Sequence, residues 1–311
     1  MRSSTRASGQ RGERIVTRLL TPLARPTILG RWYNTAANLM GTRHGAIGAA
    51  ILLVLAAIAI AAPFLAPYTP LQQTSQSLAA PSRDYLFGTD NIGRDVFSLI
   101  LYGARSSLLV GLGAALAALL VGGTIGILAG YFRGPVEAVL MRVIELFQTL
   151  PVIMLVLCAV ALFGSSFWLL IAAVALAIWP MEARLVYGQY IKLREREFIA
   201  AARVADLSTF HIIFREILPN AVQPVIVQVA LDASIAILIE AGLGFLGLSD
   251  PSMVSWGQLL FVAQDYMESA WWMSVFPGAA ICLTVIGLNL FADGLNEVVD
   301  PRSTRGMGGL Q

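Results

Sequence analysis

The chain has 311 residues, 57% of them hydrophobic and only 13% charged, with a mean hydropathy of +0.73. A water-soluble domain of this size carries about 25% charged residues, so there is too little polar side chain here to cover a soluble surface. The net charge of +2 is uninformative by itself, but 20 of the 21 basic residues are Arg, the exception being Lys192.

Residues 1–44 are Arg- and Ser/Thr-rich, and Glu13 is the one acid in the first thirty positions. They lack a long apolar core ending in a small-residue cleavage site, so they read as a retained tail with affinity for anionic headgroups. Residues 45–300 form the membrane domain, and 301–311 a second short tail. Six apolar runs, 46–67, 106–131, 139–163, 167–187, 221–248 and 273–291, each have about the length a helix needs to cross a bilayer. The expected fold is all-α and polytopic. If the N-terminus is cytoplasmic, 18 of the 21 Lys and Arg residues lie inside and only Arg83, Arg94 and Arg105 outside. This distribution places both termini in the cytoplasm.

Between the first two runs lies an outer stretch, 68–102. Asp90, Asn91 and Asp95 suggest a calcium loop, but Ile92 occupies a ligand position and no Glu closes the loop. The segment reads instead as an Asx and Gly turn leading into a helix near Asp95. In the second run Gly122, Gly126 and Gly130 recur every four residues, which permits close approach of another helix, from this chain or from a second subunit. Cys158 and Cys282 fall in apolar runs and read as small core residues rather than a bridge.

Asp232 and Glu240 lie in the fifth run, a little over two helical turns apart and so on one face. Acids at membrane depth must meet protein or water; they either line a translocation path or bind neighbouring backbone and Arg groups. Pro224, Gly242, Gly244 and Gly247 mark where this helix bends or ends. The outer loop 249–272 holds Asp250, Asp265 and Glu268, with Trp271 and Trp272 as headgroup-level anchors. No phosphate-binding Gly-Lys-Ser/Thr loop and no nucleophile elbow occur, and His44 and His211 have no ligand neighbours that would suggest a metal site. No nucleic-acid motif is present either, so any energy source lies in another chain.

The insert 191–220 is the main polar interruption. Phe198, Ala201, Ala202 and Ala205 share a helical face that is mostly alanine and so allows close approach. Phe210, Ile213, Phe214 and Ile217 repeat the spacing in a second helix, with Asp206 or Ser208 as its cap and Pro219 at its end. Arg194, Arg196, Arg203 and Arg215 form the solvated face. Spacing alone fits two readings equally, a hairpin lying on the bilayer and a docking site for a soluble partner.

The stretch from Glu197-Phe-Ile-Ala-Ala-Ala-Arg-Val-Ala-Asp206 to Leu-Pro-Asn220 resembles the E-A-A…G…L-P loop of ABC-importer permeases. Gly88-Thr-Asp-Asn-Ile-Gly-Arg-Asp-Val-Phe97, Gly242-Leu-Gly-Phe-Leu-Gly-Leu248 with Ser255-Trp-Gly257, and the segments from Trp271-Trp272 to Asp300-Pro-Arg302 are similar to the dipeptide/oligopeptide, DppC/OppC, branch. The resemblance implies a type I importer permease fold with six spans in a bacterial inner membrane. It also implies a DppB/OppB-type second permease, two ATPase subunits that use ATP and Mg, and an extracytoplasmic solute-binding protein, with no cofactor held by this chain. The cargo it suggests is short peptides; close relatives carry nickel complexes or glutathione. In that family the loop is a coupling helix seated on the ATPase, which assigns ATPase coupling to Glu197, Ala200, Ala201, Ala202, Arg203 and Asp206. Two positions depart from the motif: Ala200 stands at its acid and Asp206 at its glycine, where a positive φ is favoured. A gradient-driven transporter using Asp232 and Glu240, or a membrane scaffold without transport, are the rival classes.

Overall fold

The structure, a computed structural model, describes residues 38–299, all of whose regular elements are helical. The two tail assignments and the Asp300-Pro-Arg302 segment lie outside the described residues. In chain order the helices are α1 (Arg43–Leu65), α2 (Val96–Tyr131), α3 (Pro135–Gln148), α4 (Val152–Phe163), α5 (Phe167–Arg194), α6 (Glu197–Val204), α7 (Thr209–Phe245), α8 (Trp256–Ala263) and α9 (Trp272–Val299). Helices dominate because a membrane interior leaves backbone N–H and C=O groups no partner outside their own segment. Five of them are long and apolar enough to cross a bilayer, and α3 with α4 makes a sixth crossing if that bent pair counts as one.

Two spans depart from the sequence expectation. The run 139–163 is not one helix but α3 and α4, bent 83° at a break over 149–151. Pro151 causes this: it has no N–H to continue the ladder, and it drives the residue before it out of the helical region. The fifth span is longer than expected, because the second insert helix does not end at Pro219 but runs on into α7. A π-helical turn, Ile212–Ile217, makes the join, with Leu218 as its C-cap donating its N–H to the Ile213 carbonyl. That wide turn delivers Pro219 into the first turn of the α-helical part, where a missing N–H costs nothing.

The first contact layer is α2 against α5. An added Cβ at Gly122 would meet the Trp179 carbonyl and the Ala183 amide; at Gly126 it would meet the Ala183 carbonyl at 2.5 Å, and at Gly130 the Tyr190 Cβ at 2.6 Å. The glycine stripe is thus filled by a helix of the same chain. Around this seam a core assembles from Ala114 and Ala118 of α2, Ile144 of α3, Val156 and Val160 of α4, Val174 and Ile178 of α5, and Ala236 of α7. On the other flank α1 lies along α9, with Gly48 against the backbone of Leu290 and Phe291. Cys158 and Cys282 are free, but both are exposed on outer helix faces rather than in the core. An apolar run has no built-in inside, since the lipid-facing side of a span is as hydrophobic as the packed one.

The 68–95 segment folds as expected of an Asx turn. Asp90 Oδ1 accepts from the amides of Ile92 (3.0 Å) and Arg94 (2.7 Å), and Oδ2 pairs with Arg94 Nε at 2.6 Å. Asp95 caps α2 by accepting from Ser98 N at 2.8 Å. Trp272 is not a headgroup anchor: it is buried and donates to the Thr89 carbonyl at 3.1 Å, pinning this segment to α9, while Trp271 stays exposed.

In the loop after α7, Asp250 Oδ2 accepts from Phe167 N, the first amide of α5 (2.9 Å), and Oδ1 accepts from Ser252 N and Oγ at 2.8 and 2.6 Å. The Ser252 bonds, then the Phe167 amide, hold the carboxyl below its ordinary value of 3.8. A carboxylate with a depressed folded pKa contributes its stabilisation above the unfolded value and loses it as pH falls through the folded one. Protection of the Phe167 amide from hydrogen exchange is therefore expected to persist above pH 3.8 and to drop below it. In Asp250→Asn that acid-dependent step should be absent; a step of unchanged size would remove Asp250 as its source.

Candidate functional site

The insert is built on the ends of α5 and α7. Ile199 and Ala202 of α6 are buried with Ile212, Ile213 and Ile217 of the π turn, against Val186 and Tyr190 of α5 and Ala221 and Val225 of α7. Tyr190 Oη, itself buried, donates to the Ile213 carbonyl at 3.3 Å. Burying an isoleucine side chain is worth roughly 1.5–3 kcal/mol, so these four fasten the insert firmly to two long helices. The 3.6-residue spacing had put Ala202 with Ala201, and Ile213 with Phe210 and Phe214. The structure separates them. Ala202 faces inward, and the π turn brings Ile212 and Ile217, five apart, to one face while the Phe210 and Phe214 rings meet outside, tilted 38° to one another at 4.5 Å.

What faces out is an apolar edge of Ala201, Val204 (89% exposed) and Ala205, continued by Phe210 (71% exposed). Glu197 is exposed in the first turn of α6, and Arg203 in its last. The turn that ends α6 is a Schellman motif: Asp206 N donates to the Arg203 carbonyl (3.0 Å) and Leu207 N to that of Ala202 (3.2 Å). Asp206, standing where the motif has glycine, carries φ +54°, in the left-handed region. Ser208, not Asp206, caps the next helix by accepting from His211 N at 3.3 Å. Asp206→Gly should relieve the left-handed strain and gain about 0.5 kcal/mol net of glycine's larger entropy loss. Slower hydrogen exchange at the Leu207 amide would register it; faster exchange would show the aspartate is preferred there.

Ala200 lies in the wall of a cavity of about 350 Å³ between the insert and the ends of α2 and α5. Arg133, Arg194, Arg196 and Arg203 share that wall with Glu195. Arg133 Nη1 reaches Glu195 at 3.4 Å, and its Nε reaches Glu137 at 3.5 Å. Arg194 lies over the Tyr131 ring at 5.5 Å.

Asp232 and Glu240 are both fully enclosed by this chain's own helices. Glu240 accepts from Ser107 of α2 at 3.2 Å. Asp232 accepts from Gln228 Nε2 at 2.8 Å, while its Oδ2 and both carboxyl oxygens of Glu182 on α5 are buried without a hydrogen-bond partner among the described residues. Glu182, completely buried, was not singled out in the sequence, although an acid inside the apolar run 167–187 carries the same signal as the other two.

Long apolar helices in a small-residue packed bundle, a kinked third crossing and a polar insert mounted on two spans define a polytopic helical membrane protein. The chain belongs to the binding-protein-dependent transport system inner membrane component family, whose pattern matches residues 122–305, and is of the DppC/OppC type. The N-terminal TM domain of oligopeptide transport permease C matches residues 32–81. Among its relatives is the dipeptide transport system permease protein DppC of Alkalihalophilus pseudofirmus, 38% identical over 278 residues, covering 89% of this chain and 91% of that protein. The di/tripeptide transport system permease protein DppC of Pseudomonas aeruginosa is 36% identical over 280 residues, covering 87% and 91%. An inward-facing MetNI methionine ABC transporter structure superposes with TM-score 0.53 at 17% identity, over 65% of this chain and 97% of that one, which shows the type I permease fold.

Proposed function

We propose that this chain is the membrane-spanning subunit of an ATP-driven importer of short peptides, and that the 191–220 insert couples it to ATPase subunits. The observation that carries the coupling is the mounting of the insert. Its inner face is locked to α5 and α7, and its outer edge of Ala201, Val204 and Phe210 is left exposed among the described residues. A rigid element with an exposed small-residue edge can pass a push from a soluble subunit into two spans. A hairpin lying loosely on the bilayer would need no such attachment.

In this reading Glu197, Ala200, Ala201, Ala202, Arg203 and Asp206 form the coupling loop, with Ala202 holding it from inside. A second permease chain completes the path, two ATPases bind ATP and Mg, and a solute-binding protein delivers cargo on the far side. The arginine distribution supports cytoplasmic termini and a cytoplasmic insert. Closure of the ATPases moves the insert, and the spans switch between inward- and outward-open states. Asp232 and Glu240 reach the path only as α2, α5 and α7 part during that switch. Peptide cargo is supported by the names of the dipeptide and di/tripeptide relatives.

Purification of the tagged chain from its native membrane tests the assignment. ATPase and second-permease subunits are expected to come with it, and vesicles holding the complex, its binding protein and ATP should accumulate dipeptide. Peptide uptake by vesicles containing this chain alone, driven by a gradient, would overturn the reading.

A further inference from the structure

The break between α3 and α4 lies at the depth of the middle of a span. Near the start of α3, Glu137 accepts from Tyr187 Oη of α5 at 2.5 Å. Near its end, Phe147 meets the Trp179 ring edge-on at 5.2 Å. Helix α3 therefore climbs α5 from the Arg194 end towards the centre. Trp179 is about 18 Å along the helix from Phe167 and about 22 Å from Arg194, so the break at 149–151 falls beside the middle of α5. Polar groups are left open there. Gln148, Thr149, Leu150 and Pro151 are all exposed. The Thr149 and Leu150 amides turn back onto the Glu145, Leu146 and Phe147 carbonyls, and with no amide on Pro151 the α3 ladder ends. The ladder of α4 begins with Leu155 N donating to the Pro151 carbonyl at 3.1 Å, and the proline cap offers no side-chain acceptor. The amides of Val152, Ile153 and Met154 come before that bond and have no acceptor within their own helix. About one and two turns earlier, Glu145 and Arg142 pair at 2.9 Å on the outer face of α3, 46% and 85% exposed. Open backbone and charge at this depth are costly against hydrocarbon and are sustained where they meet water or a polar cavity.

We propose that the outer face of α3 and the break at 148–151 line the aqueous translocation path, with the Gln148 side chain and the open amides at the start of α4 offered to the polar groups of a passing solute. Asp232 and Glu240, the acids that the sequence marks for such a role, are enclosed within the bundle, whereas these groups already face outward. The proposal rests on the importer reading for what the path carries, and on the fold alone for where the path runs.

The test is thiol labelling of the full chain in membrane vesicles of both orientations, with the subunits expressed beside it. The background carries Cys158→Ser and Cys282→Ser, because both native cysteines are exposed. Single cysteines are then introduced as Gln148→Cys, Thr149→Cys and, as a control, Leu53→Cys, which is 65% exposed near the middle of α1. The probe is a charged, membrane-impermeant methanethiosulfonate, which reacts only with thiols that water reaches. Gln148→Cys and Thr149→Cys should react at least tenfold faster than Leu53→Cys in one orientation or both. Two exposed positions are used so that one misfolded variant does not decide the result, and labelling after denaturation shows that each chain is present. Rates at both positions no faster than at Leu53→Cys would overturn the path assignment, since the break would then be covered by lipid or by another helix. Fast labelling in vesicles that take up no dipeptide would support the path and count against the importer reading. Dipeptide uptake with slow labelling at both positions would overturn the path and leave the importer reading standing.

Discussion

Ala201→Arg is expected to yield a chain that folds and inserts normally yet loses its ATPase partners and its uptake. Ala201 is exposed on α6 and is not among the core residues that hold the insert, so a long cationic side chain there has room in the isolated subunit. In a docked complex the same side chain would have to fit into a close alanine contact and lose its hydration. An unpaired buried charge costs several kcal/mol, and each 1.4 kcal/mol is tenfold in affinity, so ATPase recovery should fall by more than tenfold. The neighbouring Ala202→Arg makes the comparison decisive. Ala202 is buried with Ile199 and Ile217, so that variant should lower the stability of the insert itself. Normal uptake by Ala201→Arg would show that the partner docks elsewhere.

Gly122→Leu is expected to prevent stable assembly of the bundle, while Gly123→Leu is tolerated. A Cβ at Gly122 runs into backbone atoms of Trp179 and Ala183, which cannot rotate away. The helices must then separate along the α2–α5 seam, a cost at or above the 1–3 kcal/mol usual for overpacking. At Gly123 the nearest atom is the tip of Leu119 at 3.5 Å, an ordinary contact. Size-exclusion profiles of the two variants in detergent, with their unfolding midpoints, check this. Equal behaviour of the two would mean that the seam is not where the bundle is held.

The difference between these adjacent glycines was only half legible. A four-residue glycine period tells that a helix approaches closely; it does not tell which helix, because α5 and a second subunit offer the same kind of surface. Asp206 was legible in a stronger sense. A position where the motif has glycine predicts a left-handed residue, and φ +54° is what the Schellman turn requires there. The Asx turn at Asp90 and the cap at Asp95 were equally local, and they form as their residue types dictate.

Non-local features were harder to read. The 83° break at Pro151 was hidden because hydropathy is blind to direction: both arms are apolar, so a window across them reads as one span. The π turn was hidden because one added residue per turn shifts every later side chain around the helix. Phe210, before the turn, and Phe214, within it, therefore stay outside while Ile212, Ile213 and Ile217 are all inside. Glu182 beside Asp232, and Ser107 beside Glu240, join residues fifty or more positions apart, and no periodicity in either run marks its partner.

The sequence by itself determined that this is a polytopic helical membrane protein, where most of its spans lie, and which segment differs enough to be an insert. Those properties follow from the cost of placing polar groups in hydrocarbon, which each stretch of chain meets independently of the others. Only the tertiary structure decided which face of each span is inside, which acids meet, and that four arginines from the end of α2, the end of α5 and the insert surround one cavity at Ala200. Lipid and protein interior are alike to an apolar side chain, so packing direction is settled by shape and by the pairing of a few polar groups brought together from distant parts of the chain.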